Sequence, residues 1–390
     1  MMYQPPTGVR DLLPLDVTQQ QWIEERVQRV FGRWGYHRII TPTLERLETL
    51  GASGTVNLDT ILQLRDAEGT PLGLRPDLTP SIARAVATRL LESPWPARLS
   101  YLANVFRSTA QPHEFTQAGV ELLGASGPLA DAEVLLLLAD VLNELEVPGW
   151  KLILGAAGFT RSLLAQVPET LRTRMRAALA TLDRVTILRA AYLPAEVRTW
   201  LLRLFDLRGE PDQVLAEAAS LPLVDPQQHA DLATLKLLTD WLAERQVPVV
   251  LDLSLVETFD YYTGIVFEVS AANRVLGQGG RYDQLLGFYG RPAAGAGFAL
   301  NLEALQRVLL PAGRLPESLH FGGWLVVPET AAAWSQALQW AEKLRREQAP
   351  SVQVELLGRT GSQVQEYARQ CGIARILWVQ GSGATTTEEI

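Results

Sequence analysis

An α+β fold built on an antiparallel sheet flanked by helices, with a helical insertion and a small C-terminal α/β domain, is what this sequence predicts. Three observations predict it. Strand-like text fills two separated stretches, residues 98–124 and 249–298, bounded by turn residues. Between them, residues 160–246 are rich in Leu, Ala and Arg, and Pro168, Pro194, Pro211, Pro222 and Pro226 cut this all-helical segment into short helices. After a Gly- and Pro-bearing linker at 311–323 the order changes to β-α-β-α-β, the pattern of a small parallel sheet with helical cover. The expected domains are therefore a core over 1–315, with its insertion at about 160–246, a small α/β domain over 320–380 and a disordered tail over 381–390.

The elements follow in order. Ile23, Val27, Val30, Phe31 and Trp34 recur at helical spacing over residues 16–34, and residues 37–42 then run extended up to Pro42. Residues 99–107 and 114–122 read as two strands joined by a polar segment with Pro112, a β-hairpin. An apolar helix occupies 131–146, followed by a strand at 150–155. Beyond the insertion, strands resume at 249–253 and 265–270, before a glycine-rich finish from 277 to 298. In the last domain, strands at 324–327, 352–356 and 375–379 alternate with a helix holding Trp334, Leu338, Ala341 and Leu344 and another around 364–371.

Composition removes several classes of function. With 390 residues, 47% hydrophobic and 20% charged, the chain can bury a large core. A single cysteine, Cys371, leaves no disulfide framework, and His37, His113, His229 and His320 stand too far apart for metal-ligand spacing, so no metal or cofactor is expected. The start Met1-Met2-Tyr3-Gln4-Pro5-Pro6 is unlike a secretory leader, and no apolar run is long enough for a bilayer, so a cytoplasmic location is expected. A net charge of −8 with three lysines opposes strong nucleic-acid binding, which draws its affinity from cations on phosphates.

Polar side chains within the strand-rich halves are the candidate binding residues. Asp77, in Leu74-Arg75-Pro76-Asp77-Leu78-Thr79-Pro80, precedes a helical pattern and is a favoured helix cap. Gln117 and Glu121 are four apart on a strand and so point to one face. Tyr261 and Tyr262 are adjacent and face opposite ways, so one of them meets a given ligand. Gly277-Gln278-Gly279-Gly280-Arg281-Tyr282-Asp283 reads as a tight glycine turn rather than a dinucleotide fingerprint, since no strand-to-helix context accompanies it.

Together with Pro6-Thr7-Gly8-Val9-Arg10-Asp11-Leu12-Leu13-Pro14 and Glu257-Thr258-Phe259-Asp260-Tyr261-Tyr262-Thr263-Gly264, these phrases resemble those of histidyl-tRNA synthetases, in the family's order, over roughly residues 5–310. The resemblance implies a class II aminoacyl-tRNA synthetase-like core that takes histidine. Asp77 and Gln117 would hold its amino group, Glu121 would accept a hydrogen bond from its imidazole, and Tyr282 with one of Tyr261 or Tyr262 would complete the pocket. It also implies three losses. Glu257 stands where the family has an arginine facing the reacting carboxylate and phosphate; a carboxylate there repels the charge that builds up. Ala304 stands where an arginine meets the γ-phosphate of ATP. The segment Ser108-Thr109-Ala110-Gln111-Pro112-His113 is a short, uncharged remnant of a long ATP- and tRNA-gripping loop, although Arg107 before it survives as a residual phosphate or carboxylate contact.

A synthetase-like chain that keeps the amino-acid residues and loses the ATP residues resembles the regulatory subunits of ATP phosphoribosyltransferase. That resemblance implies a catalytically inactive paralogue that partners a short catalytic subunit in the first step of histidine biosynthesis and binds L-histidine for feedback inhibition. A homodimer is implied through residues 16–50. The C-terminal domain, with six cations against seven carboxylates over 320–390, is less basic than a working anticodon-binding module and reads as a decayed one. Two other readings stand beside this one. A histidine-activating ligase is opposed by the missing phosphate ligands, and an uncharged-tRNA or histidine sensing module is opposed, on its tRNA side, by the acidic charge and the shortened loop.

Overall fold

The computed structural model describes residues 3–52, 58–92, 94–108, 113–221, 225–255, 262–319, 322–347 and 349–390. The chain divides into two compact units, one of residues 1–11 and 20–315, the other of residues 12–19 and 316–390.

The first unit is organised by a nine-stranded sheet. Its order from one edge is His37–Arg38, Ala97–Phe106, Glu114–Leu123, Gly295–Asn301, Arg274–Arg281, Ile265–Ala271, Lys151–Ala156, Val249–Asp252 and Arg208–Gly209. The neighbours from Ala97–Phe106 through Lys151–Ala156 are antiparallel, and parallel pairing enters at His37–Arg38 and at Val249–Asp252. The expected hairpin is present, paired from Ala97 with Leu123 to Phe106 with Glu114.

Period-two alternation gives the strand Glu114–Leu123 two destinations. Ala118, Val120 and Leu122 join the large core with helix Pro128–Glu144 and the face of helix Pro14–Arg33 carrying Ile23, Val27, Val30 and Phe31. Phe115 and Leu123 join a second core with Tyr101, Tyr262 and Tyr282, and Gln117 and Glu121 share their parity. One strand therefore serves an apolar layer and a polar one.

The sequence 277–281 departs from the expected turn. It lies inside strand Arg274–Arg281, and the reversal of direction comes earlier, at Ala272 and Asn273, both with positive φ. Glycine is needed in the strand for close approach: a Cβ at Gly279 would overlap the Gly297 carbonyl and the Phe267 ring, and one at Gly297 would overlap the Glu121 carboxylate and the Val120 carbonyl. The insertion is helical between residues 157 and 243 apart from the two-residue strand Arg208–Gly209. Its prolines start helices more than they cut them: Pro168 and Pro194 are N-cap residues, and Pro211 and Pro226 begin helices, where the missing N–H costs nothing. Pro222 lies outside the described residues.

The second unit carries a four-stranded sheet in the order Val352–Val354, Trp324–Pro328, Arg375–Val379, Thr385–Glu389. The first three are parallel, as the β-α-β-α-β order predicts. The expected disordered tail is instead an antiparallel edge strand: Thr385–Glu389 pairs with Arg375–Val379, and three consecutive β-branched threonines favour that extended backbone. A three-stranded sheet in the first unit, Leu44–Arg46, Pro71–Leu74 and Gln63–Arg65, leads directly into the segment bearing Asp77. Among the described residues no helix is long and apolar enough to cross a membrane.

Candidate functional site

On the polar side of strand Glu114–Leu123 lies a cleft of about 690 Å³, counted out to open solvent. Asp77, Thr79, Arg107, Gln117, Tyr262 and Tyr282 line it.

Asp77 sits between strand Pro71–Leu74 and helix Thr79–Arg89. Capping does not account for it, because the N-cap position is Leu78 and no side chain caps that helix. Its Oδ1 accepts from the Leu78 N–H at 2.8 Å, and the residue is only 3% exposed. The segment is pinned from both sides. Buried Arg75 donates to the Asn104 and Thr41 carbonyls at 2.9 and 2.8 Å, and Arg107 Nε donates to the Pro76 carbonyl at 3.0 Å while its guanidinium lies over the Phe115 ring. Those contacts fix the main chain beside the carboxylate.

Gln117 is buried, and among the described residues its Oε1 has no hydrogen-bond partner. An orphan acceptor of this kind, lining a cleft, is ready for a donor from a ligand. Glu121, expected to touch a ligand directly, lies one layer behind. Its Oε1 accepts from the Thr79 hydroxyl at 2.7 Å and its Oε2 accepts from the Tyr282 hydroxyl, and both donors line the cleft. A hydroxyl that gives its proton to Glu121 has its oxygen lone pairs left to accept on the cleft side. Burial pushes the Glu121 carboxyl up to about 8, with a smaller contribution from the negative charge of Asp77; the hydrogen bonds from Tyr282 and Thr79 pull the other way. The same burial, with Glu121 beside it, holds the Tyr282 phenol well above its ordinary value.

Tyr262 lines the cleft and meets Tyr282 edge to face at 6.5 Å, so it is placed for the ligand side. Its carbonyl accepts from Arg161. Tyr261 and Glu257 lie outside the described residues, as do residues 109–112. The arrangement gathers acceptors: a carboxylate, an orphan amide oxygen and two polarised hydroxyls. Its natural complement is a small molecule rich in N–H donors. Among the described residues no cluster of His, Cys, Asp and Glu could hold a metal ion.

The histidyl-tRNA synthetase sequence family matches residues 8–305. A relative from Gloeobacter violaceus named ATP phosphoribosyltransferase regulatory subunit is 66% identical over 99% of this chain and 98% of its own length. The chain belongs to the ATP phosphoribosyltransferase regulatory subunit family. A Cyanothece member of that family is 49% identical over the full length of both chains. Among solved structures, a Bacillus halodurans protein described as an ATP phosphoribosyltransferase regulatory subunit/histidyl-tRNA synthetase is similar with a TM-score of 0.83 at 30% identity, covering 97% of this chain and 99% of its own. A Nostoc histidyl-tRNA synthetase shares the fold, with a TM-score of 0.80 at 20% identity over 100% of this chain and 97% of its own.

In this regulatory-subunit family member the strand that pairs with Gln117 has a different character. Ala304 is half-buried against the large core, and its N–H donates to Asn301 Oδ1 at 2.8 Å, which starts helix Leu302–Leu309. The Glu303 carboxylate takes the Thr116 N–H at 3.0 and 3.1 Å. Thr79 and Asn301 are cleft residues that sequence reasoning did not single out. Each reads as an ordinary cap residue, and only pairing places them: Asn301 lies opposite Gln117 across the sheet, and Thr79 lies against Glu121. Parity with Gln117 was the available signal for neither.

Proposed function

We propose that this chain is a catalytically inactive synthetase paralogue that acts as the regulatory subunit of a cytoplasmic ATP phosphoribosyltransferase, with L-histidine as its effector. The orphan Gln117 Oε1 and buried Asp77, lining one cleft, carry the reading, because two such acceptors suit an ammonium group. The imidazole N–H would donate to the acceptor pair that Glu121 polarises, Thr79 and Tyr282, with Tyr262 against the ring. Arg107 is the described cation of the cleft and would face the ligand's carboxylate.

On this reading, the short catalytic subunit performs the first step of histidine biosynthesis, needs this chain for activity, and is inhibited when histidine fills the cleft. A ligand shifts such an equilibrium only by its differential affinity for two states, so inhibition should track histidine affinity. The chain would form a homodimer through residues 16–50, and its second unit would be an anticodon-binding module that no longer binds tRNA. Calorimetric titration of histidine, together with reconstitution with a short catalytic subunit, tests the proposal. Binding and histidine-sensitive activation are expected; a chain that binds neither histidine nor the catalytic subunit overturns it. Sedimentation of a monomer at micromolar concentration would remove the dimer.

A further inference from the structure

The helical insertion carries a surface that neither the cleft nor the fold uses. Helix Arg184–Leu188 is anchored by buried Ile187, and Ala190 and Leu193 beyond it are also buried. Arg184, Val185, Leu188, Arg189 and Tyr192 all face solvent. The first four, at i, i+1, i+4 and i+5, form a single helical stripe ending at the C-cap Arg189, and Tyr192 follows in the turn beyond it. The apolar members are conspicuously bare: Val185 is 53% exposed, Leu188 55% and Tyr192 93%, with Leu182 at 55% just before the helix.

Two features keep this stripe in shape. Leu182 and Tyr192 flank it at φ of 54° and 62°, a left-handed backbone that costs a non-glycine residue of order 1 kcal/mol. Arg184 is held over the Phe205 ring and paired with Asp206. Arg189 has no ion pair among the described residues. The surrounding charge is unlike that of the chain as a whole: residues 169–204 hold seven arginines against three carboxylates, a local balance of +4 in a chain of −8.

We propose that this stripe docks a protein partner through an apolar segment flanked by carboxylates, and, resting on the regulatory reading above, that the partner is the catalytic subunit. The aliphatic centre, Val185 and Leu188, favours a protein over a nucleic acid, which would be met by lysine, arginine and stacking aromatics without bare aliphatics. The arginines favour an acidic partner surface and set its register. Exposed apolar groups held in a fixed conformation cost little further entropy on association.

The test uses the full chain and a short catalytic subunit in sedimentation or calorimetry at low and high salt, with histidine titration as the control for folding. The double variant Val185→Asp/Leu188→Asp should weaken association at least about tenfold, as expected for charges placed in a buried contact. Arg189→Glu, a fully surface change, should weaken it several-fold and flatten the salt dependence. Both variants should bind histidine like the parent. If the parent associates and both variants associate equally well, the docking surface is wrong while the regulatory reading stands. If the parent does not associate at all, both fall. Should the double variant lose histidine binding, Arg189→Glu alone decides. A single-stranded RNA probe bound by the parent and released by Arg189→Glu would also overturn the proposal.

Discussion

Two neighbouring strands of the cleft wall handle their polar groups differently. On Glu114–Leu123, Gln117 Oε1 is buried without a partner among the described residues, and Glu121 is held in a setting that raises its carboxyl to about 8. The first is a standing cost of about 1 to 3 kcal/mol for an unsatisfied buried acceptor. The second is a carboxyl whose burial outweighs its two hydrogen bonds. On Gly295–Asn301 and the helix that follows it, Asn301 Oδ1 and the Glu303 carboxylate are met by the main-chain N–H groups of Ala304 and Thr116, and the position of the expected phosphate-binding arginine is alanine packed on the core. One strand keeps unmet capacity that a ligand can satisfy; the other has satisfied itself.

The largest effect concerns the second of these strands and the helix after it. Histidine-dependent ATP–pyrophosphate exchange should be undetectable, since each lost donor at a developing charge costs about 10² to 10³ in rate. Ala304→Arg should not restore it, and exchange by the unmodified chain would erase the contrast. Next in size, Glu121→Ala should weaken histidine binding by about 1 to 3 kcal/mol, the cost of leaving the buried Thr79 and Tyr282 hydroxyls without their partner, and feedback inhibition should fall in parallel. Unchanged affinity in a folded variant would place the effector elsewhere.

The same carboxyl sharpens the comparison through pH. It titrates near 8 in the folded chain and about 4.3 when unfolded, so between those values the folded state holds a proton that the unfolded state has released. Stability should therefore fall as pH rises from about 4.3 to about 8, and denaturant midpoints should show a shallower slope for Glu121→Gln. An equal slope would mean that the group is not held protonated. The smallest effect concerns Gln117→Met, which removes the orphan acceptor while keeping volume. Stability should rise by up to about 1 kcal/mol while histidine affinity falls, a trade expected where a site is kept for binding. A loss on both counts would show Gln117 to be structural.

Much of this was legible in the sequence, for identifiable reasons. The hairpin announced itself by alternation, and the parity of Gln117 and Glu121 put them on one side of it. The C-terminal parallel sheet followed from element order. The three-stranded sheet ahead of Asp77 did not, because strands of three or four residues such as Leu44–Arg46 and Gln63–Arg65 are too short to show a period. The polar string Thr385–Glu389 lacks apolar alternation because it is an edge with both faces wet, so composition pointed to disorder. Glu121 lies one layer behind the cleft lining rather than in it. Its distance from the cleft is set by the Thr79 and Tyr282 side chains, which approach from elements 42 and 161 residues away and leave no local trace.

The glycines of the sheet bear on how the cleft could report that it is full. Gly297 forms part of the wall and has the Glu121 carboxylate directly beneath it, with Gly279 against its carbonyl on the neighbouring strand. Where the wall is glycine it has no rotamers to switch, so pressure from an occupant at that point must be taken up by the main chain itself. Strand Gly295–Asn301 runs straight into helix Leu302–Leu309 through the Asn301 cap, which makes the two a continuous mechanical element. The message of occupancy should therefore appear first as altered amide exchange along residues 295–309, upstream of any visible change in side-chain packing.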